Sequence, residues 1–195
     1  DFHDKIYNEA HKILAVGIGS GISLIYNCKL IRKHPIVAIE ASLNQIEITK
    51  NNIMHNRINS NSYQIIHGLV GVENSIYGEK SQHAKNVINI NDFPVDVLEL
   101  DCEGSETSIL EDLTIRPKYI IVEMHPTFVD IKYQEFMKKM DVKGYKLIGA
   151  KTIVGTDIEI NNLFKHFDAE YISKHYQIKN FDQVFPVLLF ELEHR

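Results

Sequence analysis

Two groups of residues in this chain have the types and spacing to do chemistry. Gly17, Gly19 and Gly21 follow the apolar run Ile13-Leu14-Ala15-Val16, and Glu40 ends the next apolar run, Ile36-Val37-Ala38-Ile39. A buried strand that turns on glycines into a helix leaves the first helical N–H groups free for a ligand. Gly17 can take a backbone geometry closed to other residues, and Gly19 and Gly21 keep side chains from between main chain and ligand. An acid at the tip of the following strand, about 20 residues on, can accept hydrogen bonds from ribose hydroxyls. The glycine turn alone is as readily a tight connection; with Glu40 it reads as a nucleoside-cofactor site. The second group is Asp101, Glu103, Glu106, Glu123 and His125, carboxylates and an imidazole crowded around two further strand ends.

The elements that must position these groups follow from hydrophobic periodicity. Ile22, Leu24, Ile25, Cys28 and Ile31 recur at helical spacing after the glycines. Ser42 with Gln45 is a capping-box pattern for a helix carrying Ile46, Ile53 and Met54 on one side. Further strands are expected over Tyr63 to Val70, Val95 to Asp101, Tyr119 to Met124, Tyr145 to Ile148 and Val187 to Leu192. Helices are expected with Ile109, Leu110 and Leu113 inward, and with Tyr133, Phe136, Met137 and Met140 on one face. Residues 1–12 read as a short helix or arm beside the first strand. The polar stretch Gly71 to Asn91 reads as loop with a short strand near Val87. Ile153 to Phe185 holds Phe164, Phe167, Tyr171, Tyr176 and Phe181 with His166 and His175 but no clean period. It is read as packing, with a lid over a substrate as the alternative.

Alternating strands and helices, with most strands continuous apolar runs, imply an α/β fold: a doubly wound, mostly parallel seven-stranded sheet with helices on both faces. The last two strands lack a helix between them, so the C-terminal strand is expected to be antiparallel. Ligands of such sheets bind at the carboxyl edge where strand order reverses. The glycines, Glu40, Asp101 with Glu103, and Glu123 with His125 should therefore face one crevice.

A chain of 195 residues is enough for one domain and too few for two comfortable ones. The chain opens at Asp1 without a methionine, which leaves room for a substrate-binding segment ahead of it. Its net charge of −5 argues against a broad nucleic-acid-binding face. Cys28 and Cys102 both fall in segments read as buried, so interior thiols and a reducing, cytoplasmic setting are expected. No apolar run approaches the roughly 18 residues of a membrane span.

Two nucleoside cofactors compete for the glycine turn. A dinucleotide fold wants G-x-G-x-x-G, but Ile22 occupies the third glycine's place and Gly21 comes one residue early. The G-x-G-x-G spacing is that of S-adenosylmethionine enzymes, whose ligand has no pyrophosphate to cradle. The spacing favours S-adenosylmethionine, and an NAD-dependent oxidoreductase remains a distant alternative.

Ile36 to Asn56, with Glu40-Ala41-Ser42 and then Asn51, Asn52 and Asn56, resembles the second-strand region of FkbM-type methyltransferases. Val95 to Pro126 is closer: Val-Asp-Val-Leu-Glu-Leu-Asp-Cys-Glu-Gly-Ser-Glu, then a strand ending Glu-Met-His-Pro. The resemblance covers about residues 12 to 150 and, more loosely, the last strand. It implies a class I S-adenosylmethionine-dependent methyltransferase domain over the chain, transferring a methyl group typically to an oxygen, with a sugar or glycoside hydroxyl as small-molecule acceptor. The chain departs from the family at three places. Ala15 stands where an acid usually holds the methionine end of the cofactor, Ala41 replaces a frequent proline, and Glu99 replaces a frequent lysine. Ala15 motivates a second reading, a catalytically silent binding module on the same fold.

The resulting role assignments place Gly17, Gly19, Gly21, Glu40, Ala41 and Asp101 on the cofactor, with His67, Gly68 and Leu69 where adenine would lie. Asp101 is the first choice for the acid near the transferred methyl, as general base or methionine-end contact, against a helix-capping role. Glu103 and Glu106 could orient substrate or only favour a helix N-terminus. His125 could serve as base or acceptor contact, since imidazole titrates near neutrality. Asp101, Glu103, Glu123 and His125 could also hold a divalent cation, but their spacing is not diagnostic and no metal is assigned.

Overall fold

The computed structural model describes residues 2, 6, 11–31, 33–71, 86–126, 132–152, 155–168 and 185–193. The chain builds β1 (Ile13–Val16), α1 (Ile22–Leu30), β2 (Ile36–Glu40), α2 (Leu43–His55), β3 (Tyr63–His67), β4 (Val97–Leu100), α3 (Glu106–Glu111), β5 (Tyr119–Glu123), α4 (Tyr133–Val142), β6 (Tyr145–Thr152) and β7 (Pro186–Leu192). The strands form one seven-stranded sheet in the order β3-β2-β1-β4-β5-β7-β6. Strands β1 to β5 pair in parallel, and β7 is antiparallel to both of its neighbours. This is the doubly wound sheet with an antiparallel last strand that the sequence pattern implies.

Period-two alternation divides the core into two layers. Leu14, Val16, Leu98, Leu100, Ile120, Val122, Leu188 and Phe190 join Ile109 and Leu110 of α3 and Phe136 and Met140 of α4 on one face. Ile13, Ala15, Val97, Ile121 and Leu189 join Leu24 and Ile25 of α1 and Ile53 of α2 on the other. Phe2 and Ile6, from the N-terminal arm, pack into this second layer.

Several expectations are corrected by this packing. Ile22 is 75% exposed, because the first residue of α1 sits at the mouth of a cleft instead of against the sheet. Met54 is exposed, because Ile46, Thr49 and Ile53 already fill the inward stripe of α2 and Met54 lies about 100° further round. Cys28 is half-buried and Cys102 buried, and both are free thiols. Only half of the capping box forms. Ser42 accepts from the Gln45 N–H at 3.3 Å, but the Ser42 N–H donates to Glu40 Oε1 at 2.8 Å. Near Val87 there is a single parallel bridge with Leu69 and no longer strand among the described residues. Strand β6 runs on past Ile148 to Thr152, because its partner β7 supplies hydrogen bonds to a segment with little apolar pattern of its own. A chain that leaves β6 at Thr152 and re-enters opposite it at Pro186 must run antiparallel.

Strand order reverses between β1 and β4, so their carboxyl tips open a crevice at the sheet edge. That crevice holds the candidate site.

Candidate functional site

The glycine turn is fixed by the tip of β4. Gly17 has φ +75°, and a Cβ there would lie 1.7 Å from the Asp101 carbonyl oxygen. Its N–H donates to the Ile39 carbonyl at 2.9 Å, while the Asp101 N–H donates to the Val16 carbonyl at 2.9 Å. Gly17 is therefore required by protein packing. Gly19 faces open space, with nothing within 4 Å of its would-be Cβ, and is the glycine that keeps main chain accessible. Gly21, expected beside a ligand, instead lies against Thr49 of α2, 2.6 Å from the would-be Cβ, and opens α1 at φ +82°.

Glu40 is buried at the β2 tip and ties the turn down. Its Oε2 accepts from the N–H groups of Ile18 at 3.0 Å and Gly19 at 3.2 Å, and its Oε1 from Ser42. A carboxylate has about four lone-pair sites, so three bonds leave capacity for one more donor.

Two recesses meet at this turn and share Val16, Gly17, Gly19 and Asp101. The smaller is lined by Ile39, Glu40, Ala41, Gly68, Leu69 and Val70. His67 is not in that lining; its Nε2 is 3.0 Å from the Ala41 carbonyl oxygen and braces the turn after β2. The larger, about 670 Å³, opens on the other side and is lined by Ala15, Ser20, Ile22, Glu99, Glu123, Lys151 and Thr152 among others. Its contributions from Lys151 and Thr152 escape a reading of the sequence, because β6 reaches the site only through the part of the strand that its pattern hides.

At the junction stands an acid–imidazole cluster. His125 is 2% exposed, and its Nδ1–H donates to Glu106 Oε1 at 2.8 Å. Its Nε2 lies 3.6 Å from carboxylate oxygens of Asp101, Glu103 and Glu123. The Phe185 ring packs edge-on at 5.2 Å. Glu106, which the sequence left between orienting substrate and favouring a helix N-terminus, is the fully buried anchor: it accepts from Cys102 N–H at 2.8 Å, Gly104 N–H at 3.0 Å and the imidazole. Glu103 adopts φ 51°, a conformation that costs a non-glycine residue about 1–2 kcal/mol. The chain holds this turn through Glu106.

The electrostatics follow from that crowding. Burial by itself would lower the His125 pKa, but the Glu106 hydrogen bond and charge, with Asp101 and Glu103 behind them, raise it to about 9. The Asp101 carboxyl is pushed well above its ordinary range, first by desolvation and then by the Glu123 charge, with His125 pulling the other way. About half of the Asp101 side chain nonetheless faces the open cleft. Asp101, Glu103 and His125 bring ligand atoms within 4.8 Å of one another, a spacing at which a divalent cation could replace the Nε2 proton.

Known structures share this architecture. A precorrin-6y C5,15-methyltransferase from Geobacter metallireducens superposes with a TM-score of 0.57 at 11% identity, over 96% of this chain and 83% of that one. Fibrillarin from Aeropyrum pernix with natively bound S-adenosyl-L-methionine gives 0.53 at 13% identity, over 94% and 67%. TYW2 from M. jannaschii in complex with AdoMet gives 0.52 at 16% identity, over 96% and 72%. The chain has the class I methyltransferase fold. No family model matches the sequence, and no curated protein matches it. At these identities the likeness is one of fold, and a fold hosts many reactions.

Within the methyltransferase fold the aromatic segment after β6 is partly packing. Phe167 is buried against Tyr133 and Phe136, with ring centroids 5.1 and 6.3 Å away, while Phe164 is exposed. Tyr171, His175, Tyr176 and Phe181, the other residues of the lid reading, lie outside the described residues. No helix among the described residues is long and apolar enough to cross a membrane.

Proposed function

We propose that the chain is an S-adenosylmethionine-dependent methyltransferase acting on an oxygen, with a sugar or glycoside hydroxyl of a small molecule as acceptor. The observation that carries this reading is the junction of the two recesses at Gly17, Gly19 and Asp101. A nucleoside suits the smaller recess, where Glu40 keeps one acceptor site and Leu69 and Val70 offer apolar contact. Gly19 leaves the main chain open beside it. The occurrence of S-adenosylmethionine in two of the structural neighbours supports the same assignment. The acceptor chemistry and membership of the FkbM-type family rest on the resemblance of Val95 to Pro126.

When bound, S-adenosylmethionine supplies a methyl group on a sulfonium, which passes to a nucleophile as the thioether departs. The protein must align the acceptor and remove its proton. With an imidazole pKa of about 9, His125 is protonated at neutral pH and acts as a fixed cation among Asp101, Glu103 and Glu123. Asp101, half open to the cleft and with a raised proton affinity, is the group that takes the proton from an acceptor hydroxyl. Glu103 and Glu123 orient acceptor hydroxyls. The divalent cation is the variant of this site in which Asp101, Glu103 and His125 act as ligands.

Titration calorimetry with S-adenosylmethionine, S-adenosylhomocysteine and NAD tests the reading. Binding of the first two is expected, and heat only with NAD, or with none, overturns it. Ala15 favours the silent module as second reading; tight S-adenosylhomocysteine binding with no methyl transfer across a panel of glycosides would select it.

A further inference from the structure

The larger recess has two ends of opposite charge. Glu123, Val187 and Lys151 stand in register at the tips of β5, β7 and β6, one row beyond Ile121, Leu189 and Gly149 and on the same face. Glu123 and Asp101 make one end acidic, and Lys151 is the only cation lining the recess among the described residues. The Lys151 side chain is 16% exposed, whereas its ion-pair partner Asp157, 3.4 Å away, is 85% exposed. These two residues face each other across the hairpin that follows β6, where the Thr152 N–H donates to the Thr156 carbonyl at 2.8 Å. A carboxylate so open to water attracts weakly, and salt screens it. The Phe2 ring, only 2.7 Å from where a Cβ at Gly149 would lie, backs the ammonium, with its centroid 5.6 Å from Lys151 Nζ. An ammonium carries three donors, and shielding it from water is costly unless they are met. The fold thus holds a largely desolvated cation opposite the acids that surround His125.

We propose that Lys151 receives an anionic group of the methyl acceptor, a glycoside that carries a carboxylate or phosphate away from its reacting hydroxyl. This rests on the methyltransferase reading above and narrows its acceptor class. Position separates Lys151 from the cofactor. Strand β6 lies four strands from β1, roughly 19 Å at about 4.8 Å per strand, too far for this side chain to serve the glycine turn. Glu123 is only two strands from Lys151, about 10 Å between backbones. An acceptor whose hydroxyl stands at Asp101 therefore has the rest of its length to run past Val187 toward Lys151. Asp101, Glu103 and Glu123 repel an anion at the reacting end, so an acidic acceptor enters in one direction only. Lys151 in this way selects which hydroxyl meets Asp101.

The test uses calorimetry on the full chain saturated with S-adenosylhomocysteine. The probes are methyl glycosides of glucose, galactose and mannose, the corresponding glycuronates, and the corresponding 6-phosphates. At least one acidic probe should bind about tenfold or more tightly than its neutral counterpart, with the difference shrinking as salt rises. Comparing glycuronate with phosphate tells which anion the site takes. Equal affinity of acidic and neutral probes, or no binding by any acidic probe, overturns the proposal without any mutation. In Lys151→Met, which keeps an apolar stem, the acidic preference should vanish while S-adenosylhomocysteine affinity is unchanged. Lys151→Arg, which keeps the charge, should retain the preference. A preference that survives in Lys151→Met assigns the anion to another group, and weakened S-adenosylhomocysteine binding there assigns Lys151 to the cofactor; either result overturns the proposal. Failure of wild type to bind S-adenosylhomocysteine overturns the cofactor reading itself and takes the proposal with it. Binding of S-adenosylhomocysteine without acidic preference removes the anionic acceptor alone.

Discussion

His125 and Glu106 form the buried ion pair on which the candidate site is built, with Nδ1 and Oε1 2.8 Å apart and both side chains shielded from solvent. Glu106 also holds the backbone of the turn between β4 and α3, so one carboxylate couples the imidazole's charge to the position of Asp101 and Glu103. Breaking such a pair from one side leaves an uncompensated charge, which costs about 3–5 kcal/mol.

This pair makes stability depend on pH. The folded-state pKa of His125 is raised from 6.5 to about 9, so its stabilising contribution is complete below about pH 6.5 and is lost as pH rises through 9. A shift of that size corresponds to on the order of 3 kcal/mol. An NMR titration of the imidazole should give a midpoint near 9. Denaturant curves should show wild type losing its advantage over His125→Gln between neutral pH and pH 9.5, about half a unit above that midpoint. Glu106→Gln should bring the midpoint down. A wild-type midpoint near the ordinary histidine value would remove the fixed cation from the site.

Asp101 carries the opposite sign. Its carboxyl is raised above the unfolded value near 3.8, chiefly by desolvation and then by Glu123, so ionising it opposes folding as pH rises from the unfolded value through the folded one. Asp101→Asn should therefore leave the Tm at pH 7 unchanged or higher, while methyl transfer falls by about 10²–10⁴-fold as the base is lost. Thermal melts beside initial rates check this. Parallel losses of stability and turnover would make Asp101 a structural residue.

Gly17 and Gly19 should separate folding from binding. Gly17→Ala places a carbon 1.7 Å from the Asp101 carbonyl oxygen, so the β4 tip must move and stability should fall by about 2–5 kcal/mol. A Cβ at Gly19 meets nothing within 4 Å, so Gly19→Val carries chiefly the penalty of a positive φ, about 1–3 kcal/mol. It should stay folded yet lose calorimetric binding of S-adenosylhomocysteine. Retained affinity in Gly19→Val would move the cofactor away from this turn.

What could be read directly from the sequence was local. Ile13-Leu14-Ala15-Val16, the alternate glycines and Glu40 lie within a few residues of the turns they make, and backbone sterics with apolar periodicity dictate those turns whatever surrounds them. The same holds for the helix with Ile109 and Leu110 inward and for the lack of a clean helical period before the last strand, from which its antiparallel run was expected. What the tertiary structure decided depends on register and burial between segments far apart in the chain. The Gly17 packing contact is with Asp101, Gly21 packs on Thr49, and Lys151 reaches the recess only because β7 extends β6. Glu106 outranks Glu103 as an anchor because it alone of the two is fully enclosed, which no spacing reveals. Ala15 read in sequence is an acid missing from β1; read in the sheet it is the neighbour of Glu99, because parallel pairing sets the two residues side by side on one face.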